Sequence, residues 1–207
     1  WLYHLFKGER TINGTLDPRL YWTIGTYETD WADFEYGNVA YTQTLTATDN
    51  IVTNNTYGGL PIAKFTNLRT GLYSTVTTGL HDGINLRLMR YSDVLLRAAE
   101  CENEVNGPTQ QAIDWINQVR ERAGAKALSG AATVETVLDE RARELCGEYV
   151  RFYDLKRTGK LTSTYLKSTN PDVGQYFVDG KHEVRPFPQS FLENLEEGGG
   201  YYQNPGY

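Results

Sequence analysis

Three glutamates recur at every fourth position late in the chain, at Glu140, Glu144 and Glu148. A helix would place all three on one face, and a pair of carboxylates is what glycoside hydrolysis uses. Arginines occupy the same turns, at Arg141, Arg143 and Arg151. Because a neighbouring guanidinium favours the ionised carboxylate, these glutamates are poorly suited to donate a proton. We interpret the row as structural ion pairs and predict no catalytic residues.

The surrounding stretch, residues 139–160, has the apolar periodicity of one continuous amphipathic helix. Opposite charges three positions apart support such a helix. The predicted pairs are Glu140 with Arg143, Glu148 with Arg151, Asp154 with Arg157 and, four positions apart, Asp139 with Arg143. Gly159 stands where this helix would need a left-handed cap. The sequence therefore predicts an ion-pair helix that ties neighbouring helices together.

Aromatic side chains crowd residues 21–38, which lack a helical period and are predicted to form a loop. Flat rings stack on the C–H faces of sugars at low entropic cost, and nearby Asp and Asn side chains can hydrogen-bond hydroxyl groups. The candidate ligand-binding residues are Trp22, Tyr27, Asp30, Trp31, Tyr36 and Asn38. The alternative is that these rings pack the loops onto the helices as a satellite core. We expect one or two of the rings to be exposed.

Metal and nucleophile chemistry have no matching pattern. The histidines, His4, His81 and His182, are far apart, lack metal-ligand spacing and are expected in solvated loops. The cysteines, Cys101 and Cys146, fall in predicted helices, where two buried thiols are favoured over a disulfide. No Ser-His-Asp pattern or phosphate-binding glycine loop can be assembled. The sequence thus predicts no metal and no cofactor.

The overall composition narrows the class of partner. The 207 residues carry a net charge of −6, which argues against nucleic acid because phosphate binding needs a basic surface. No apolar run of about 18 residues is present to span a membrane. The 15 tyrosines and 20 glycines are typical of extracellular recognition proteins.

Local signals divide the chain between residues 83 and 84. Residues 1–83 combine dense turn residues with short β-type runs, so we predict a loop-rich aromatic segment with a few short strands. Residues 84–207 are predicted to be helical, with an extended tail from Leu161 onward. The resulting fold class is mainly α.

The helical segment begins with a predicted pair of amphipathic helices. The first is predicted to start at Asn85 and to run for about five turns, with Leu88 and Met89 on its apolar face. Thr109 and Thr133 are predicted N-caps of the two helices that follow. Trp115 is predicted to be a core residue. Two such helices joined by a short turn form a hairpin of the kind stacked in TPR-like helical repeats.

Five stretches resemble motifs of the SusD/RagB family, in the family's order and spacing. They are residues 17–20, 88–100, 112–124, 140–157 and 203–207. The third resembles the family's A-x-x-x-I-N-x-V-R-x-R-A-G helix almost residue for residue, and the last is its closing Gln-Asn-Pro-Gly-Tyr. The departures are small: Tyr149 replaces the usual Gly, Phe152-Tyr153 stands for a Trp-Tyr pair, and Phe187 sits where Ile is commoner.

The resemblance implies a surface-exposed outer-membrane lipoprotein of Bacteroidetes-type bacteria. Such proteins bind glycans, or sometimes peptides, without turnover, and act as a lid on a SusC-like TonB-dependent transporter. Family members are more than twice as long, so the chain is expected to be the C-terminal part of one larger domain. The lipidated Cys, the only expected membrane attachment, would then belong to the N-terminal half. An alternative is an interaction scaffold that docks on the transporter without glycan contacts in this half.

Overall fold

The computed structural model describes residues 5–6, 8–23, 35–36, 39–40, 45–48, 51–54, 64, 87–194 and 202–207. The helices named here are α1 (Pro18–Thr23), α2 (Tyr91–Asn106), α3 (Gln110–Arg122), α4 (Val134–Glu144), α5 (Arg151–Arg157), α6 (Ser163–Thr169), α7 (Pro171–Gly174) and α8 (Gln189–Glu193). The strands are β1 (Glu35–Tyr36), β2 (Val39–Ala40), β3 (Leu45–Thr48) and β4 (Ile51–Asn54). They form two antiparallel pairs, β1 with β2 and β3 with β4. The predicted mainly α fold is confirmed.

The chain divides into two compact units, residues 2–149 and residues 150–207, and each is described by itself. The predicted boundary between residues 83 and 84 lies outside the described residues and stays a prediction.

In residues 2–149, helices α2, α3 and α4 pack around one apolar core. Its buried members are Leu95, Leu96, Ala99, Ala112, Ile113, Ile116, Val119, Ala132 and Val137. Trp115 packs against this core from a partly buried position, as predicted. Each fully buried aliphatic side chain contributes on the order of 1.5–3 kcal/mol, so this cluster is the main apolar support of the helices.

Capping residues set the starts of α3 and α4. The Thr109 hydroxyl accepts a hydrogen bond from the Ala112 N–H at 3.3 Å, and the Thr133 hydroxyl accepts one from the Thr136 N–H at 3.1 Å. Both predicted N-caps are confirmed.

The predicted start of the first long helix is wrong. Helix α2 begins at Tyr91, and the preceding Arg90 has an extended backbone with φ of −141°. Leu88 and Met89, which extended the apolar period toward Asn85, are exposed. Periodicity alone could not detect that the Arg90 side chain is engaged in tertiary ion pairs.

The prediction of one continuous helix over residues 139–160 is also wrong. Helix α4 ends at Glu144, and the next helix, α5, begins only at Arg151. Two residues in between have left-handed backbone, Gly147 with φ of 78° and Tyr149 with φ of 62°. A right-handed helix cannot continue through such positions. The predicted ion-pair residues are therefore divided among α4, which carries Glu140 and Arg143, the turn that carries Glu148, and α5, which carries the other three.

Residues 150–207 contain a second, smaller apolar cluster of Leu155, Leu161 and Leu166. Gly159 follows α5 with φ of 68°, which confirms the predicted left-handed cap. Helices α6, α7 and α8 occupy the region predicted as an extended tail, so that description is corrected. Prolines interrupt the helical pattern of the sequence in this region. Pro171 nevertheless begins α7, where the missing N–H of proline removes no hydrogen bond within the helix.

The C-terminal segment is fastened by side-chain hydrogen bonds to the backbone of residues 184–187. The Gln203 amide accepts from the Phe187 N–H at 2.7 Å and donates to the Phe187 carbonyl at 3.0 Å. Asn204 donates to the Arg185 carbonyl, and the Tyr207 hydroxyl donates to the Val184 carbonyl. The closing Gln-Asn-Pro-Gly-Tyr motif therefore anchors the C-terminal segment to residues 184–187 through hydrogen bonds.

Candidate functional site: an ion-pair core and an aromatic pocket

The six ligand-binding residues predicted from the sequence are mostly outside the described part of the chain. Trp22 lies in α1 and Tyr36 lies in β1, so the prediction of a loop is wrong at these two positions. Tyr27, Asp30, Trp31 and Asn38 lie outside the described residues. The aromatic site therefore stays a prediction.

A network of charged side chains, here called the ion-pair core, links the elements of residues 2–149. Its members are Glu9, Asp17, Arg19, Lys64, Arg90, Asp93, Arg120, Arg122, Glu140, Arg141, Arg143, Glu144 and Glu148. Long-range pairing holds the network together, since Arg19 and Glu140 are separated by 121 positions.

Glu140 is the centre of the ion-pair core and is fully buried, with 0% of its surface exposed. Its carboxylate accepts from Arg19 Nη1 at 2.6 Å, Arg120 Nη1 at 2.6 Å and Arg143 Nη1 at 2.8 Å. Burial opposes ionisation, but the charges of these three arginines outweigh it and lower the pKa of Glu140. A carboxyl group held ionised in this way is a poor general acid.

Glu144 and Glu148, the other two members of the glutamate row, are bound by cations from different parts of the chain. Arg90 donates to the Glu144 carboxylate and, through Nη2, to Glu148 Oε1 at 2.8 Å. Lys64 Nζ lies 2.5 Å from the same Glu148 oxygen. Burial opposes ionisation of Glu148, but hydrogen bonds from Arg90 and Lys64 lower its pKa.

Helix α1, which carries Trp22, is fixed to α4 through Arg19. Asp17 accepts from the Arg19 N–H at 2.9 Å and from Arg19 Nη2 at 2.7 Å, so the guanidinium is already oriented by its neighbour. The remaining Nη1 then reaches Glu140 and Glu144. The ion-pair core thereby positions one of the predicted ligand-binding segments.

A second arm of the ion-pair core joins α2 to α4. Arg141 Nη1 donates to Asp93 Oδ1 at 2.7 Å, and Arg97 also binds Asp93. Burial opposes ionisation of Asp93, but Arg97 and Arg141 lower its pKa. Arg141 could not be predicted as a partner of Asp93 from the sequence, because the two residues are 48 positions apart and a spacing rule detects only neighbours on one helix.

The remaining predicted ion-pair residues lie outside the ion-pair core. Arg157 Nη2 lies 2.9 Å from Asp154 Oδ1, three positions earlier on α5. Arg151 lines the cavity described next. The predicted pair between Glu148 and Arg151 stays a prediction.

Residues 150–207 contain a cavity of about 400 Å³, here called the aromatic pocket. It is lined by Arg151, Phe152, Leu155, Leu161, Leu166, Thr169, Asn170, Val173, Tyr176, Phe177 and His182. Helix α5 supplies Phe152 and Leu155, while α6 and α7 supply Leu166 and Val173. Among the residues that the structure describes, no carboxylate is part of this lining. The described lining therefore offers aromatic rings, the polar side chains of Thr169, Asn170 and His182, and the Arg151 guanidinium.

Prolines and glycines interrupt residues from Leu161 onward, so the sequence predicts an extended tail there and does not predict this pocket. Tyr176 and Phe177 are adjacent aromatics in that stretch, and they were the available signal. His182 was expected in a solvated loop, but it is partly buried and packs edge-on against Phe177, with ring centroids 5.5 Å apart.

The thiols behave differently from each other. Cys146 is buried, as predicted, and burial raises its pKa to about 11. Cys101 is exposed on α2, so its predicted burial is wrong. Both thiols are free, and no disulfide joins them.

The described residues lack a metal site and a membrane-spanning helix. No group of three or more His, Cys, Asp or Glu side chains there could hold a metal ion. None of the helices in the same part of the chain is long and apolar enough to cross a membrane.

The fold and the ion-pair core define a mainly helical protein whose buried carboxylates are neutralised by arginines. The chain belongs to the SusD family, whose model matches residues 3–207. The family predicted from the motifs is therefore confirmed.

Individual relatives agree with this assignment. SusD-like protein P25 of Formosa agariphila is 49% identical over 120 residues, which are 55% of this chain and 22% of the relative. The structure of a laminarin binding SusD-like protein is similar over 100% of this chain and 37% of its own, with 28% identity and a TM-score of 0.61. Surface glycan-binding protein A from Bacteroides thetaiotaomicron is similar over 91% and 38% of the two chains, with 26% identity and a TM-score of 0.61. The chain thus spans less than half the length of these relatives.

Proposed function

We propose that this protein binds glycans at the bacterial cell surface without cleaving them. The observation that carries the proposal is the similarity to a laminarin binding SusD-like protein over 100% of this chain. The surface glycan-binding protein from Bacteroides thetaiotaomicron supports the same ligand class. Polysaccharides and oligosaccharides are the proposed ligands.

The ion-pair core supports binding without turnover. Hydrolysis of a glycosidic bond needs one carboxyl group that can donate a proton. The buried Glu140 is surrounded by Arg19, Arg120 and Arg143, which lower its pKa. Its role is to hold α1, α3 and α4 together, and we assign it no catalytic part.

The finer steps of the proposal are supported by membership of the family. The protein would reside on the outer membrane as a lipoprotein, attached only through a lipid anchor, and would deliver ligand to a SusC-like TonB-dependent transporter. In this proposal the rings of residues 21–38, Trp22, Tyr27, Trp31 and Tyr36, stack on sugar rings while Asp30 and Asn38 bind hydroxyl groups.

Direct binding measurements test the proposal. Isothermal titration calorimetry would be run with laminarin and a panel of other polysaccharides. We expect saturable binding of at least one glycan with no release of reducing ends. Trp22→Ala and Trp31→Ala are each expected to weaken the affinity about tenfold or more, since a central aromatic contact is typically worth on the order of 2 kcal/mol.

Tyr91→Ala is the matched control, because Tyr91 is an exposed aromatic on α2 and outside the proposed site. Its affinity should equal that of the unmodified protein. Absence of binding to every glycan would refute the recognition role. Unchanged binding by both tryptophan variants would instead refute the site.

A scaffold that docks on the transporter without touching glycan is the second candidate. Its support is the exposure of large apolar side chains such as Met89 and Tyr91 on the described surface. Co-purification with the transporter, together with no glycan affinity, would favour this alternative.

A further inference from the structure

We propose that the aromatic pocket of residues 150–207 is a second glycan subsite, which holds one pyranose residue of a bound chain. This inference rests on the proposed glycan-binding function and adds a site to it. None of its lining residues belongs to the aromatic stretch 21–38.

The size and the rings of the aromatic pocket suit a sugar. Its volume of about 400 Å³ lies in the range of about 300–1,000 Å³ that small-molecule sites occupy. Phe152 and Phe177 are partly buried, whereas Tyr176 is 73% exposed. A pyranose has C–H faces that pack on such rings and a rim of hydroxyl groups that must be hydrogen-bonded.

Asn170 supplies unused hydrogen-bonding capacity in the lining. Its N–H donates to the Leu166 carbonyl at 2.7 Å, and its own carbonyl accepts from the Gly174 N–H at 2.8 Å. The backbone is therefore fixed at the junction of α6 and α7. The side-chain amide makes no hydrogen bond with the part of the chain that the structure describes, and it does not cap α7. Its two donors and its acceptor remain available for hydroxyl groups.

The His182 imidazole adds a hydrogen-bond donor to the lining, because its tautomer is defined by a backbone contact. Its Nδ1 accepts a hydrogen bond from the Val178 N–H at 2.9 Å. In the neutral ring the proton must then lie on Nε2, which becomes a donor. The edge-on contact with Phe177 holds the ring in place.

Thr169 complements these donors. Its hydroxyl donates to the Tyr165 carbonyl at 2.9 Å, which leaves its oxygen lone pairs as acceptors. A sugar hydroxyl both donates and accepts, so a lining with amide, imidazole and hydroxyl groups matches it. Among the described residues no carboxylate lines the aromatic pocket, so this lining offers no general acid for glycoside hydrolysis, and we assign the subsite to binding.

Methyl NMR of the protein tests the subsite. The titrant is laminarin oligosaccharide or, if calorimetry selects another polysaccharide, oligosaccharides of that glycan. We expect saturable shifts of the Leu161, Leu166 and Val173 methyl signals, while the Leu95 and Leu96 signals stay in place. Asn170→Ala and Tyr176→Ala should each weaken the affinity about three- to tenfold, because each removes contacts worth on the order of 1 kcal/mol.

Tyr202→Ala serves as the control, since Tyr202 is an exposed tyrosine of the same unit and is absent from the lining. It should bind like the unmodified protein. If a glycan binds but the pocket methyl signals do not shift, or both pocket variants bind normally, the subsite is refuted and the proposed function stands. If no glycan binds at all, the proposed function fails and the subsite with it.

Discussion

The ion-pair core and the aromatic pocket treat their polar groups in opposite ways. In the ion-pair core, carboxylates and guanidinium groups satisfy each other, as Glu140 does with Arg19, Arg120 and Arg143. In the aromatic pocket, backbone hydrogen bonds hold Asn170 in place, while its side-chain amide makes no hydrogen bond within the described structure. A satisfied buried network rigidifies a fold, whereas spare polar groups beside rings can bind a ligand.

This difference changes where function should be sought. The charged residues stand out in the sequence, yet the structure uses them to hold helices and the segment carrying Trp22. The less conspicuous aromatics of residues 150–207 line a cavity. Breaking each region separately should therefore give different results: loss of stability for the ion-pair core and loss of binding for the aromatic pocket.

Acid should have the largest effect, and it should act first on the ion-pair core. Glu140, Glu148 and Asp93 have folded pKa values below their ordinary values of 4.5, 4.5 and 3.8. Their stabilising contribution is therefore complete above those values and is lost as the pH falls through the lower folded pKa values. Denaturant midpoints measured from pH 7 to pH 3 should decrease steeply below about pH 4.5.

The same titration compares the two units. Methyl signals of Leu95 and Leu96 should report the loss at a higher pH than those of Leu161 and Leu166. The lowered-pKa carboxylate described in residues 150–207 is Asp179, which is exposed and bound by Ser163. A midpoint that is constant down to pH 3 would contradict the stabilising role of the ion-pair core.

Neutralising the central carboxylate should have the next largest effect. Glu140→Gln leaves buried guanidinium groups without their counter-charge and should lower the free energy of unfolding by about 3–5 kcal/mol. Arg122→Ala is the matched control, because the Arg122 side chain is 61% exposed although it also binds Glu144. It should cost less than about 1 kcal/mol. If both variants lose the same free energy of unfolding in urea denaturation, burial does not determine how strongly these ion pairs stabilise the protein.

A methyl group at Gly174 should disturb the aromatic-pocket unit instead. An added Cβ would lie 2.3 Å from the Lys167 backbone nitrogen and 2.5 Å from the Leu166 carbonyl carbon. Because backbone atoms cannot move aside cheaply, Gly174→Ala should cost about 1–3 kcal/mol or more. Faster hydrogen exchange at Leu161 and Leu166 would report the effect. Gly8→Ala, where no atom lies within 4 Å, should leave the same exchange rates unchanged.

The smallest expected effect is a gain at Tyr149. This residue has φ of 62° and is 82% exposed, so it bears left-handed strain with little packing in return. Tyr149→Gly should raise the free energy of unfolding by about 1 kcal/mol, since only glycine adopts this backbone without a Cβ clash. Tyr149→Ala keeps the strain and should show no such gain. Equal behaviour of the two variants in urea denaturation would contradict this explanation.

Much of the local structure was predictable from the sequence. Thr109 and Thr133 correctly predict where helices start, and Gly159 predicts where one ends, because helix caps depend only on neighbouring backbone groups. The apolar face of α3 follows from its period, and the motif order identified the family. The start of α2 was missed, since Leu88 and Met89 continue the period without being buried.

The sequence predicted that this region forms ion pairs, but it did not predict the distant partners. The spacing of Glu140 and Arg143 indicates a local pair, and the structure places their atoms 2.8 Å apart. Arg19 and Lys64, the more distant partners, have no spacing signal, because electrostatic contacts between remote segments form only when the chain folds. The break between α4 and α5 could not be predicted either, because a tyrosine at position 149 does not indicate a left-handed backbone.

The sequence by itself determined the helical class, the caps and the family, since each depends on residues that are neighbours in the chain. Only the tertiary structure decided that the glutamate row is buried among arginines, because those arginines come from α1, α3 and the segment before α2. It also decided that the supposed tail folds into short helices around an aromatic pocket. The physical reason is common to both: burial is a property of packing between distant segments, and local periodicity does not specify it.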